Sequence, residues 1–282
     1  MPYRQNDLCS SSNTFARTVS RVEKTGRVLA VSLTALFIAF AMVRATMLGE
    51  PYTVRCLIGL ILTPFILVAE WLFRFRLRLP VFVLLQLFYL LAVIGKCFHL
   101  FDICAWWDIA MHSVGGFCLA VAGLVLFDLF QKRILKRPPD QTGKRTPIHC
   151  IASALFALCF AATAGVLWEL YEFAVDRLFG WDMQMDTIVS QIDSSLLGDG
   201  MGSITQIGDI SEAAVNGVSL PIEGYLDIGL YDTMEDLALL TAGALAAGLI
   251  RLLFRQEKLF FHLDSDPIQP QTVQSAADRP GR

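Results

Sequence analysis

Charge is the first thing this 282-residue chain lacks: 17% of its residues are Asp, Glu, Lys or Arg, against 55% that are hydrophobic. A soluble domain carries about 25% charged and about 45–50% apolar residues, and the mean hydropathy of +0.54 departs in the same direction. A soluble cytosolic enzyme is excluded, and so is disorder over most of the length. Extended basic tracts are missing as well, since the basic residues sit in short clusters between apolar stretches; nucleic acid is therefore not a partner. No G-x-S-x-G marks a serine nucleophile. Gly198-Asp199-Gly200-Met201-Gly202 lacks the Lys-Ser/Thr that completes a phosphate loop. The positions after Asp193 lack the Asp/Asn alternation of a calcium-binding loop. The seven cysteines (Cys9, Cys56, Cys97, Cys104, Cys118, Cys150 and Cys159) form no C-x-x-C pair and lie mostly inside apolar runs, which reads as small packing residues.

What the sequence does have is apolar runs of about 20 residues, the length that crosses a hydrocarbon core of about 30 Å. Six are read, over Val28–Leu48, Cys56–Phe73, Leu79–Leu100, Ile109–Phe130, Ile148–Val175 and Thr233–Phe254. The expected fold is all-α, a polytopic transmembrane bundle over residues 28–254, with segment 1–27 and a mostly disordered tail 255–282 on the cytoplasmic side. Arg17, Arg21, Lys24 and Arg27 precede the first run, and no convincing A-x-A cleavage site follows it, so it is read as a retained anchor. With the amino terminus inside, 19 of the 23 Lys and Arg residues fall on inner segments. That bias orients both termini to the cytoplasm of a bacterial plasma membrane. Glu70 is expected to pair locally with Arg74, Asp128 with Lys132, and His149 and His262 to be solvated.

The segment 176–231 is then one extracytoplasmic loop holding nine carboxylates against Arg177 alone. A loop this long is usually functional or internally folded. Ile188, Ile192 and Leu196 have the spacing of an amphipathic helix over Asp186–Leu197, and Val218–Ile228 reads as a hairpin turning near Glu223-Gly224. Trp106, Trp107, Trp168 and Trp181 are expected as interfacial anchors.

Candidate function lies where ionisable residues enter the spans. Asp108 and His112, Glu169 and Glu172, and Asp232 and Asp236 are spaced at i, i+3 or i+4, so each set shares a helix face. Alternating span direction puts all three sets at the outer membrane surface, with Gly115-Gly116 one turn below His112. A carboxylate in hydrocarbon costs at least about 2.5–3.5 kcal/mol, so such groups face a bundle interior or water. Carboxylates facing one another need shared protons or a counter-cation. Carboxylates with one imidazole suit Mg²⁺, Mn²⁺ or Zn²⁺. On this reading the metal ligands are Asp108, His112, Glu169, Glu172, Asp232 and Asp236, and Glu169 or Glu172 serves as catalytic base. Whether the chain is an enzyme stays open. One expectation is an enzyme acting on lipid-linked or envelope phosphates or esters. The others are a cation or proton transporter, and a non-catalytic assembly or stress-response component with a membrane-protein partner.

Three elements, Asp108-x-x-x-His112 with Gly116, Trp168-Glu169-x-x-Glu172, and Asp232-Thr233-x-x-Asp236 followed by Gly243-Ala244, carry a family resemblance. Over roughly residues 100–250 the chain resembles the uncharacterised YjdF-like multi-span membrane proteins of bacteria. It is more distantly similar to the VanZ-like family associated with glycopeptide resistance. VanZ-like proteins favour Lys where this chain has Ile109 and Asn where it has Asp236. Neither family implies a reaction; both imply a membrane bundle with these residues at one site.

Overall fold

The computed structural model describes residues 5–104, 106–134, 145–200, 202–256 and 259–263. It is mostly helical. The helices are α1 (Gln5–Leu48), α2 (Thr53–Leu62), α3 (Phe65–Phe73), α4 (Leu79–Cys97), α5 (Leu100–Ile103), α6 (Trp106–Arg133), α7 (Pro147–Phe179) and α8 (Leu230–Phe254). Six apolar helical segments are long enough to cross a membrane: Arg21–Leu48, Thr53–Phe73, Leu79–Cys97, Trp106–Arg133, Pro147–Phe179 and Leu230–Phe254. Large apolar side chains such as Leu36, Phe40, Leu155, Leu167 and Leu249 stand exposed along them. Lipid, not protein, is the medium that suits such faces.

Span boundaries follow local chemistry. The second span is broken at Thr63-Pro64, between α2 and α3. Pro64 brings no N–H to the ladder, and the Thr63 hydroxyl donates back to the Gly59 carbonyl at 2.9 Å. The third span ends at Cys97 rather than Leu100, because His99 turns into the left-handed region at φ 55 and begins the short helix α5. Helix α7 starts with Thr146, whose hydroxyl accepts from the His149 N–H, and Pro147 follows in the first turn; it stops at Gly180 with φ 63.

Helices α6, α7 and α8 pack together as one three-helix core, and α1, α2 and α4 form a second group beside it. Small residues decide how closely the core helices cross. A Cβ placed on Gly116 of α6 would lie 1.9 Å from the Leu240 carbonyl oxygen of α8. One placed on Gly243 of α8 would lie 1.9 Å from the Ser113 carbonyl oxygen of α6. The two backbones therefore touch reciprocally, as small residues permit between membrane helices. Gly123 against the Ala157 backbone does the same for α6 and α7, at 2.8 Å.

Two buried ionic clusters stitch the opposite end of the bundle. Arg27 of α1 donates to both Glu70 oxygens at 2.7 Å and also to the Leu77 carbonyl. Glu70 thus pairs with a residue 43 positions away rather than with Arg74. Asp128 of α6, with no exposed side-chain surface, meets Arg145 at 2.8 Å, Arg251 at 3.2 Å and His149 at 3.1 Å. Asp128 thus gathers partners from far along the chain, and His149 is part of this network rather than solvated. Here too the strand β1 (Phe75–Leu77) pairs antiparallel with β8 (Phe261–Leu263). Most of the tail 255–282, expected to be disordered, lies outside the described residues.

Between α7 and α8 the chain folds into short antiparallel pairs. Strand β2 (Thr187–Val189) pairs with β7 (Tyr225–Asp227), β3 (Ile192–Ser194) with β4 (Thr205–Ile207), and β5 (Ala214–Val215) with β6 (Val218–Ser219). The helix expected over Asp186–Leu197 is absent. Apolar residues four apart satisfy a two-residue alternation as well as a helical one, and β-branched Ile188, Val189 and Ile192 favour the strand. The hairpin turns at Asn216-Gly217, with φ 54 and 78, not at Glu223-Gly224. Two successive positive φ angles are what a tight two-residue hairpin requires, and Asn-Gly is the pair that supplies them.

Candidate functional site

The acidic end of the three-helix core is built from the first turns of α6 and α8 and the last turns of α7. Helix α6 presents Asp108 and, one turn on, His112; α7 presents Glu169 and Glu172; α8 presents Asp236. The Gly116–Leu240 and Gly243–Ser113 contacts lie just below, so the α6 and α8 side chains meet at close range. Gly165 of α7 admits the Leu240 side chain, 2.8 Å from where its Cβ would stand.

The His112 Nε2 lies 3.2 Å from Asp236 Oδ2 and 3.5 Å from Asp108 Oδ1. Ligand-type atoms of Asp108, His112 and Asp236 all lie within 4.8 Å of one another, and so do those of Glu169, Glu172 and Asp236. Asp236 belongs to both sets. Glu169, Glu172 and Asp236 keep 6%, 7% and 2% of their surface exposed, and side-chain exposure at His112 and Asp108 is 13% and 16%. Among the described residues, His112 is the only basic group that makes an ion pair with these carboxylates. Two oxygens, Glu169 Oε2 and Asp236 Oδ1, are buried with no hydrogen-bond partner. A buried, unsatisfied carboxylate oxygen costs at least about 1–3 kcal/mol, so the arrangement has unused ligand capacity.

Asp232, grouped with Asp236 by its spacing, is used differently. Its Oδ2 accepts the Met185 N–H at 2.9 Å, and it falls outside both 4.8 Å sets. Asp176 likewise accepts the Met183 and Gln184 N–H groups at 2.8 and 2.9 Å. The Gln184 side chain donates to the Thr233 hydroxyl at 2.5 Å. Segment 183–185 is thus strapped across the acidic end by two carboxylates, a role that sequence spacing alone did not reveal. Next to the strap, partial burial and then repulsion from Asp186 and Asp176 push the Asp182 carboxyl above the usual range.

Trp106, Trp168 and Trp181 stand exposed, as interfacial anchors would. Trp107 turns inward instead, with its indole nitrogen buried and unpartnered against Gly95. His99 is held apart from the cluster by Asp102 at 3.2 Å and Glu50 at 3.9 Å.

Four carboxylates and an imidazole in a largely enclosed cluster form an oxygen-rich donor set for a hard divalent cation. Among the described residues no cysteine joins either set; Cys56 and Cys97 lie in the second helix group, 3.4 Å apart. Comparison with known proteins gives no match among curated proteins and none among solved structures. A family model described as "Predicted membrane protein (DUF2238)" matches residues 27–257, which takes in the first span from Arg27 on, the other five spans whole, the strapped loop and every residue of the cluster. The chain belongs to this uncharacterised family of integral membrane proteins.

Proposed function

We propose that the cluster of Asp108, His112, Glu169, Glu172 and Asp236 binds a divalent cation, Mg²⁺, Mn²⁺ or Zn²⁺. In this reading the protein uses it at the outer face of a bacterial plasma membrane on lipid-linked or envelope phosphates or esters. The observation that carries the proposal is the pair of orphaned, buried oxygens on Glu169 and Asp236 in a cluster whose only basic ion-pair partner among the described residues is His112. When bound, such a cation polarises a substrate oxygen or acidifies a water. The chain's own share is positional: Asp108, His112 and Asp236 hold one side of the site. Glu169 or Glu172, through an oxygen left off the ion, would accept the proton.

The outward orientation rests on the Lys/Arg bias and belongs to the proposal, as do the YjdF-like and VanZ-like resemblances, which support the location of the site and not a reaction. A transport path is less well supported. Between the acidic end and the Asp128 cluster the three helices are closed by Val121, Leu124, Ala157, Ala161, Ala244 and Ala247, none with a side-chain donor or acceptor.

Metal content of the detergent-purified full chain tests the reading. Metal should be present in the wild type and should fall in both His112→Ala and Glu169→Gln. Metal-free protein of undiminished stability, after loading with each of the three ions, overturns it.

A further inference from the structure

We infer that the site holds two divalent cations bridged by Asp236, not one. This rests on the cation-binding reading above. The five ligand-type side chains do not close into a single group. They form two sets of three, each within 4.8 Å, and the only residue common to both is Asp236. An ion ligated at about 2.1 Å keeps its ligands within about 4.2 Å of each other, so one ion is served by one set.

The bridging carboxylate has the right free valence. Asp236 Oδ2 is engaged by His112 at 3.2 Å, whereas Oδ1 is buried without a partner. At 2% exposure the side chain cannot turn that oxygen to solvent. One oxygen on each ion is the usual way a carboxylate spans two metals about 3.5–4 Å apart. Glu169 Oε2, equally orphaned at 6% exposure, gives the second set a free donor of its own.

Charge balance leads to the same number. Asp108, Glu169, Glu172 and Asp236 carry four negative charges when ionised, with no Lys or Arg ion-paired to them among the described residues. One divalent ion leaves two of those charges in a poorly solvated place, to be neutralised only by taking up protons. Two divalent ions cancel all four. The sites differ in chemistry: Asp108, His112 and Asp236 offer nitrogen and oxygen, while Glu169, Glu172 and Asp236 offer oxygen alone. Such a pair clamps an oxygen anion, a phosphoryl group above all, by one oxygen on each ion.

The full chain in detergent, stripped with chelator and reloaded with Mn²⁺ alone, provides the test. Two Mn²⁺ per chain are expected, with an electron paramagnetic resonance spectrum broadened by exchange between the ions. His112→Ala and Glu172→Gln should each retain one Mn²⁺ and give the sharp six-line spectrum of an isolated ion. One Mn²⁺ per wild-type chain with that isolated spectrum overturns the bridged pair and leaves the single-cation reading standing. No Mn²⁺ overturns both. The wild-type stoichiometry and spectrum decide the matter even where a variant fails to fold.

Discussion

Replacing Gly116 by alanine adds one carbon at the point where α6 and α8 touch. That carbon would sit 1.9 Å from the Leu240 carbonyl oxygen and 2.6 Å from the carbonyl carbon, both backbone atoms that no rotamer change can move. Ordinary contact begins near 3.4 Å, so the helices must part by about 1.5 Å at this level. Overpacking in a rigid interior costs about 1–3 kcal/mol, and a backbone-on-backbone clash belongs at or above the upper end. The crossing lies one turn from the site, so the same displacement carries His112 from 3.2 Å to beyond 4 Å from Asp236. Thermal unfolding in detergent should show a clear loss of stability, and Mn²⁺ titration should show at least tenfold weaker binding, as expected when ligand geometry slips by an ångström. Gly200→Ala is the control, because nothing lies within 4 Å of its Cβ position; its effect should stay within about 0.5 kcal/mol. A Gly116→Ala protein with wild-type unfolding and wild-type Mn²⁺ affinity would refute both the close crossing and its link to the site.

Other perturbations read other parts of the molecule. Asp128→Ala leaves Arg251, which has no exposed side-chain surface, without its carboxylate, and should cost about 3–5 kcal/mol in unfolding experiments. Glu70→Ala strands Arg27 in the same way, and limited proteolysis should then release α1 from the rest of the bundle. Asp232→Asn weakens the strap at Met185, so hydrogen exchange at the Met185 amide should accelerate while helix content stays constant. Asp182 is a carboxyl raised above its ordinary range, so its contribution to stability is present at low pH and is lost as pH rises through the raised value. Asp182→Asn should therefore be at least as stable as wild type at pH 7, and the difference should vanish below pH 4; a variant less stable at pH 7 contradicts this sign.

The membrane helices were legible because a span is a local property: about 20 apolar residues in a row need no partner to be recognised. The same is true of the depth at which Asp108, His112, Glu169, Glu172 and Asp236 enter the bundle, since helical periodicity and alternating direction fix it. Pairing over long separations was not legible. Arg27 finds Glu70 across 43 positions, and Arg251 finds Asp128 across 123, whereas sequence spacing offers only Arg74 and Lys132. The strands of the loop were missed because Ile188, Ile192 and Leu196 fit two periods at once, and the deciding partner, Tyr225–Asp227, lies far along the chain. Asn216-Gly217 did carry a local hairpin signal, which the later Glu223-Gly224 obscured. Asp232 and Asp236 share a face yet divide their labour, because backbone N–H groups of the loop reach one and not the other.

The pairing of Phe75–Leu77 with Phe261–Leu263 sets an order on biogenesis. The stretch that completes this two-stranded clasp is made only after the sixth span has left the ribosome, while its mate emerges between the second and third. Until then Phe75 and Leu77, at 9% and 4% exposure in the finished protein, have no cover from Phe261. A nascent chain halted within α8 would thus display an open strand edge of the kind that invites mispairing, and sealing of that membrane face is among the last events of assembly.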